Sequence, residues 1–122
     1  MRTTADEIRA YHNVCRHRGT QLVSGRGHGA TAFTCPFHGW CWNLDGSNRA
    51  VFAADVFDPA LLDPNDIALS PVRLECWGGC AWINFDDAAP ALRTSLDPFA
   101  TYHDDIAVDR MHAESWLSLI HI

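Results

Sequence analysis

Two short segments hold residues able to grip a metal: Cys15-Arg16-His17 and, after seventeen intervening residues, Cys35-Pro36-Phe37-His38. Each segment offers one thiolate and one imidazole. A zinc finger usually presents its cysteines together and its histidines together, because a single tetrahedral ion is held by one knuckle and one helix. One Cys and one His from each segment is the pattern expected when two metal atoms lie between two loops and each loop reaches both. One iron then takes Cys15 and Cys35, and the other takes His17 and His38. Charge counting explains the use of histidine: two ferric ions, two sulfides and two thiolates sum to zero, whereas four thiolates leave an anion. Reduction of the neutral centre is easier, with potentials of about −150 to +300 mV for this ligand set against about −400 mV for plant-type ferredoxins. A neutral imidazole ligand also keeps a second ring nitrogen free to donate a hydrogen bond outward.

Loops of this kind need strands behind them, and the chain is punctuated accordingly. Turn signals recur at Gly25 to Gly29, Asp45-Gly46, Asp58-Pro59, Asp63-Pro64, Ser70-Pro71 and Gly78-Gly79. Short strands joined by tight turns are the natural reading. Ala10 to Val14, Ala30 to Thr34 and Trp40 to Leu44 are β-prone, and Asp45-Gly46 after the last of these is a hairpin signal. Val72, Leu74 and Cys76 alternate before Gly78-Gly79, and Ala81, Ile83 and Phe85 alternate after it, which predicts a second hairpin with one buried face. The best helical candidate is Pro90 to Ala100, with Leu92, Leu96 and Phe99 on one side and Pro98 limiting its extent. Ser47 to Ser70 reads as a long connection between the hairpins. The expected class is all-β.

Composition bounds the function. The chain has 122 residues, 48% hydrophobic and 20% charged, enough apolar surface for the core of one ordinary domain. The longest apolar runs fall far below the roughly 20 residues of a membrane span, and Met1 to Ala10 holds no apolar signal region, so a soluble, cytoplasmic protein is expected. Net charge is −6, which argues against nucleic acid as a partner. The charge is divided unevenly: residues 1–41 carry five Arg against Asp6 and Glu7, while 42–122 carry four Arg against thirteen acids. Five cysteines without an export signal make a disulfide framework the weaker reading and metal ligation its competitor.

Taken together, Asn13-Val14-Cys15-Arg16-His17-Arg18-Gly19 and Cys35-Pro36-Phe37-His38-Gly39-Trp40, followed by Leu44-Asp45-Gly46, resemble the Rieske [2Fe-2S] family. Within it the resemblance is to the α-subunits of bacterial aromatic-ring-hydroxylating oxygenases, and it extends more weakly through Trp82-Ile83-Asn84-Phe85. It implies a Rieske-type antiparallel β-sandwich with a small two-loop cluster-binding subdomain, and a cluster held by Cys15, His17, Cys35 and His38. The family's respiratory branch carries an extra Cys in each loop; Thr20 and Phe37 occupy those places here, so the loops are of the oxygenase type. The resemblance also implies single-electron transfer from a ferredoxin or flavin-dependent reductase to a mononuclear non-haem iron. That iron activates O₂ to hydroxylate an organic, aromatic substrate in a trimer-based homo-oligomer. His38 is the candidate to hydrogen-bond a carboxylate of the neighbouring subunit.

No set of two His and one carboxylate follows the cluster segment, so the mononuclear iron is expected only in a domain outside this chain. Residues 1–105 are assigned to the Rieske domain, with N-terminal strands expected to be missing. Ile106 to Trp116 is assigned to a linking strand. Leu117-Ser118-Leu119-Ile120-His121-Ile122 translates one frame of a transposase adapter used in sequencing libraries and is set apart from the fold. Two rivals stay open: a stand-alone Rieske ferredoxin with the same four ligands, and a structural zinc module. Cys41 is read as a small core residue, and Cys76 and Cys80 as buried or half-buried free thiols. Gly25 to Gly29 is read as the hairpin turn between the two cluster arms, Trp40 as packing beneath the cluster loop, and Gly19 and Gly39 as allowing amides to approach the cluster sulfurs. Arg16, Arg18 and Arg26 are candidates for a positive rim that attracts an acidic electron donor.

Overall fold

A computed structural model describes residues 1–112. The chain divides into two compact units, Met1–Arg73 and Leu74–Ile122. Strands dominate: β1 (Ala10–Tyr11), β2 (Ala32–Thr34), β3 (Cys41–Asn43), β4 (Asn48–Ala50), β5 (Pro71–Trp77) and β6 (Cys80–Asn84). They form two three-stranded sheets, in the orders β1-β5-β6 and β2-β3-β4. Every pairing with a described register is antiparallel, in line with the all-β expectation.

In the first unit, β2 and β3 pair with Phe33 opposite Trp42 and Thr34 opposite Cys41, so the Cys35 to Trp40 loop is the connection of this hairpin. The Asp45-Gly46 hairpin also forms. Asp45 accepts from the Ser47 amide at 2.9 Å, and β4 returns along β3 with an irregularity between Cys41 and Trp42. Gly46 is at φ 86, and a Cβ there would lie 2.6 Å from the Tyr11 ring, so both backbone and space require glycine. The Tyr11 hydroxyl donates to the Leu44 carbonyl at 3.2 Å, tying β1 to this hairpin.

The two Asp-Pro steps open short helices. Asp58 accepts from the Ala60 amide ahead of the 3-10 turn Pro59–Leu62, and Asp63 accepts from the Asn65 amide ahead of α1 (Pro64–Ile67). Each aspartate is an N-cap and each proline fills the position whose amide has no helical partner. Ile67 and Leu69 are thereby buried against Cys15, Cys35, Trp40 and Trp42. Trp42 is fully buried and its indole N–H donates to the Ile67 carbonyl at 2.8 Å.

In the second unit, β5 and β6 meet at Gly78-Gly79 as expected. The buried face does not appear on β6: all five of its residues are exposed, and it is the edge strand of its sheet. Alternation shows which side chains share a face and not whether another layer covers it. Cys76 and Cys80 are exposed rather than buried or half-buried. The expected helix is split into α2 (Leu92–Leu96) and α3 (Phe99–His103). Pro98 lacks an amide, and the residue before it, Asp97, is extended at ψ 144. The described part of the expected linking strand is not a strand: Asp104–Ile106 and Val108–Arg110 are 3-10 turns about Ala107, held at φ 50. The segment from 117 to 122 lies outside the described residues, as do residues 113–116. Among the described residues no helix is long and apolar enough to cross a membrane.

Candidate metal centre

The two cysteine loops share one backbone design. The Cys15 amide donates to the Thr20 carbonyl at 2.8 Å, and the Cys15 carbonyl accepts from Gly19 at 2.9 Å. The Cys35 amide donates to the Trp40 carbonyl at 2.8 Å, and the Cys35 carbonyl accepts from Gly39 at 3.0 Å. Gly19 and Gly39 take φ 75 and 72, the left-handed conformation that closes each loop. This is what the glycines contribute. The amides that reach the sulfurs are those of His17 and Arg18 at Cys15, and of Phe37 and His38 at Cys35. Such amide donors favour the thiolate, the form that binds metal.

Cys15 and Cys35 are 3% and 2% exposed and belong to the core of the first unit. Burial opposes ionisation at both. At Cys15 burial prevails and the thiol lies above its ordinary range; at Cys35 the amides of His38 and Phe37, with Cys15 and Thr20, outweigh burial and hold it below.

The imidazoles meet beside them. The His17 and His38 rings are 4.8 Å apart at 63°. His17 is stacked flat on Trp40 at 4.8 Å and 5°, and Phe57 stands nearly perpendicular to both rings, its centroid 5.9 Å from that of His17 and 5.8 Å from that of Trp40. Burial, then the charges of His38 and Arg18, pushes His17 below its ordinary range, which keeps the ring neutral and able to act as a ligand. Its Nδ1 is the buried side-chain nitrogen that finds no hydrogen-bond partner among the described residues. Leaving such an atom unpaired costs about 1–3 kcal/mol, which coordination to a metal would offset. Two buried thiols, two adjacent imidazoles and an orphaned ring nitrogen therefore fit a two-iron centre that asks two ligands of each iron. Among the described residues no group of three or more His, Cys, Asp or Glu is close enough to hold a metal ion, so the fit rests on the Cys15–Cys35 and His17–His38 pairs and on the orphaned nitrogen.

The structure thus pairs Cys15 with Cys35 and His17 with His38, the two pairs that the spacing singled out. Of the proposed positive rim, Arg16 is engaged as a strut, donating to the Asp66 carbonyl at 2.9 and 3.2 Å and to Ser70 Oγ at 3.2 Å. Arg18 lies over the Phe37 ring at 5.9 Å, on the exposed side of the second loop. Trp40 packs where it was expected and buries 96% of its surface, being 4% exposed. Cys41 is half-buried, with Thr34 Oγ1 3.5 Å from its sulfur. Gly25 to Gly29 does not make a tight hairpin turn, since no strand precedes it after β1. Two contributors were given no role by the sequence reading, Asn13 although it opens the first motif. Asn13 accepts from the amides of Leu22 and Val23 at 3.1 and 2.9 Å and donates to the Val23 carbonyl at 2.7 Å, fixing both ends of the first loop. Its position ahead of Cys15 was the only signal. Phe57 lies far along the chain and gave none.

Known proteins resemble this chain in sequence and in fold. Residues 1–58 match the model of the Rieske [2Fe-2S] domain. The carnitine monooxygenase oxygenase subunit of Escherichia coli K12 is 40% identical over 89 residues, 73% of this chain and 23% of that protein. The chloroplastic choline monooxygenase of Beta vulgaris is 38% identical over 85 residues, 70% of this chain and 18% of that protein. Among solved structures, the quaternary ammonium Rieske monooxygenase CntA with an inhibitor superposes with a TM-score of 0.81 at 29% identity, over 94% of this chain and 32% of that one. A naphthalene 1,2-dioxygenase superposes with a TM-score of 0.73 at 36% identity, over 84% of this chain and 23% of that one. The chain spans about a quarter of the length of the carnitine monooxygenase subunits it matches.

Proposed function

The chain belongs to the Rieske [2Fe-2S] family through residues 1–58, and from that premise we propose that Cys15, Cys35, His17 and His38 hold its cluster and that it is the electron-relay part of a Rieske oxygenase. The observation that carries the ligand assignment is the orphaned, buried His17 Nδ1 beside His38 and two buried thiols. When bound, the group supplies reversible one-electron storage between a ferredoxin or flavin-dependent reductase and a mononuclear iron in the rest of the parent protein. The protein's own part is to present the His17 and His38 rings and two cysteine sulfurs that accept backbone amides, and to exclude water with Trp40 and Phe57. His38, half-buried at the loop tip, offers its second nitrogen to a carboxylate of a neighbouring subunit in an oligomeric, trimer-based parent. A cytoplasmic location goes with this reading.

For the parent's substrate, the aromatic class expected from the sequence is represented by naphthalene 1,2-dioxygenase. Carnitine, choline and glycine betaine monooxygenases are among the sequence relatives, and on that ground we propose a quaternary ammonium substrate ahead of an aromatic one. The test is to load the chain with iron and sulfide and measure metal content, visible absorption and the electron paramagnetic resonance of the dithionite-reduced state. Two irons per chain and a reducible cluster signal support the proposal. A colourless protein holding one zinc and no reducible centre overturns it.

A further inference from the structure

His17 is held by more than its own loop. Trp40 lies flat against one face of the imidazole, at 4.8 Å and 5°, and Phe57 stands nearly perpendicular to it at 84°. The imidazole reorients only through its two side-chain torsions; a flat neighbour resists the flip about χ2, and a second neighbour at right angles resists the swing about χ1. The chain bends to deliver this second contact. Ala53 adopts φ 52 and ψ 46, a left-handed conformation uncommon for a residue with a Cβ, immediately before the 3-10 turn Ala54–Val56. The turn is closed by Val56 and Phe57 donating to the carbonyls of Ala53 and Ala54 at 3.1 and 3.2 Å. A strained backbone at Ala53, one 3-10 turn ahead of the residue that touches a candidate ligand, fits the placement of Phe57 as its purpose.

We propose that Phe57 is a positioning residue for the candidate metal centre: with Trp40 it clamps the His17 imidazole so that Nδ1 faces the metal, and it closes that side of the site to water. The proposal rests on the assignment of His17 as a ligand. Groups that orient a metal-bound His commonly change metal affinity about 10- to 100-fold when removed. The perpendicular contact needs an aromatic ring, whereas water exclusion needs only apolar volume, so the two roles separate by substitution.

The test compares the full chain loaded with iron and sulfide against Phe57→Ala, Phe57→Leu and Phe57→Tyr, reading paramagnetic resonance line shape, reduction midpoint and rate of cluster loss. Phe57→Ala is expected to lose its cluster about ten-fold faster, to broaden the resonance lines as His17 samples more orientations, and to raise the midpoint as water stabilises the more negative reduced state. Phe57→Leu should restore the midpoint and leave the lines broad; Phe57→Tyr should restore both. Line shapes and midpoints unchanged in Phe57→Ala, or equal recovery of line shape by Leu and Tyr, overturn the proposal. Failure of the unsubstituted chain to take up a cluster overturns the ligand assignment, and the positioning role with it.

Discussion

Each of the four candidate ligands has a distinct environment, and the effects of substitution should differ accordingly. Cys15 and Cys35 are buried in the core, so replacing either sulfur with oxygen keeps the volume and removes the soft ligand. Cys15→Ser is expected to abolish the visible absorbance of the loaded protein while far-ultraviolet dichroism of the chain is retained. His38→Ala should do the same; full spectra in either variant would sink the assignment. Gly46 illustrates a residue whose constraint is steric. Gly46→Ala places a Cβ 2.6 Å from Tyr11 and at φ 86, and an overpacked site with backbone strain costs about 1–3 kcal/mol. The expected result is a correspondingly lower urea midpoint, with Tyr11→Ala in the same chain relieving part of the loss. The ligands were legible in the sequence because residue type and spacing are themselves the chemistry. Gly46 was legible as a turn residue only; that Tyr11 lies on it is a contact across 35 positions, and nothing local announces it.

Elements explain why some expectations held and others did not. The hairpin at Asp45-Gly46 and the break at Pro98 follow from backbone rules carried by single residues. The helices at Pro59 and Pro64 were equally encoded, since Asp followed by Pro is both a cap and a first helical residue, yet the same pair also marks a turn. Burial of β6 was not encoded, because alternation is indifferent to what lies above the strand. α1 shows how a short element supports the site from a distance. Four residues cannot form a stable helix alone, so it persists through Ile67, whose side chain is in the core and whose carbonyl receives the Trp42 indole. Trp42→Phe keeps most of the apolar volume and leaves that carbonyl unpaired, at a cost of about 1–3 kcal/mol. Urea unfolding should show the loss, and the loaded variant should keep its spectrum because all four candidate ligands are retained. Arg16→Lys should act differently. It replaces a planar fork, bonded to Asp66 and Ser70, with a point charge, and is expected to loosen the first loop. Faster loss of the cluster with little change in unfolding midpoint is the outcome that identifies Arg16 as a strut of the loop rather than of the core.

At the scale of the whole molecule, acids outnumber bases, and among the described residues the carboxylates with shifted pKa are stabilised in their charged form. Glu7 is held below its ordinary range by hydrogen bonds from Arg9 and Thr3, Asp45 by those from the Ser47 side chain and amide, and Asp104 by those from Arg93. A depressed folded-state value means the unfolded chain binds more protons in acid, so stability from these groups is complete above their unfolded values and lost as pH falls through the folded ones. The window therefore opens below about pH 4.5, the ordinary value for Glu7, and extends beneath 3.8, that of the two aspartates. All three sit at the surface, so each contribution is small and screened by salt. The expected outcome is a chain whose thermal midpoint falls from pH 5 to pH 3. The fall should be shallower in Asp104→Asn, which has already lost the Arg93 pair, and in high salt, which weakens all three pairs. A midpoint that rises on acidification would show that relief of the net charge of −6 outweighs the lost pairs. Because none of these groups touches the candidate ligands, the same titration in the unloaded and loaded chain separates acid unfolding from metal release: surface pairs shift both forms alike, whereas protonation of thiolates shifts only the loaded one.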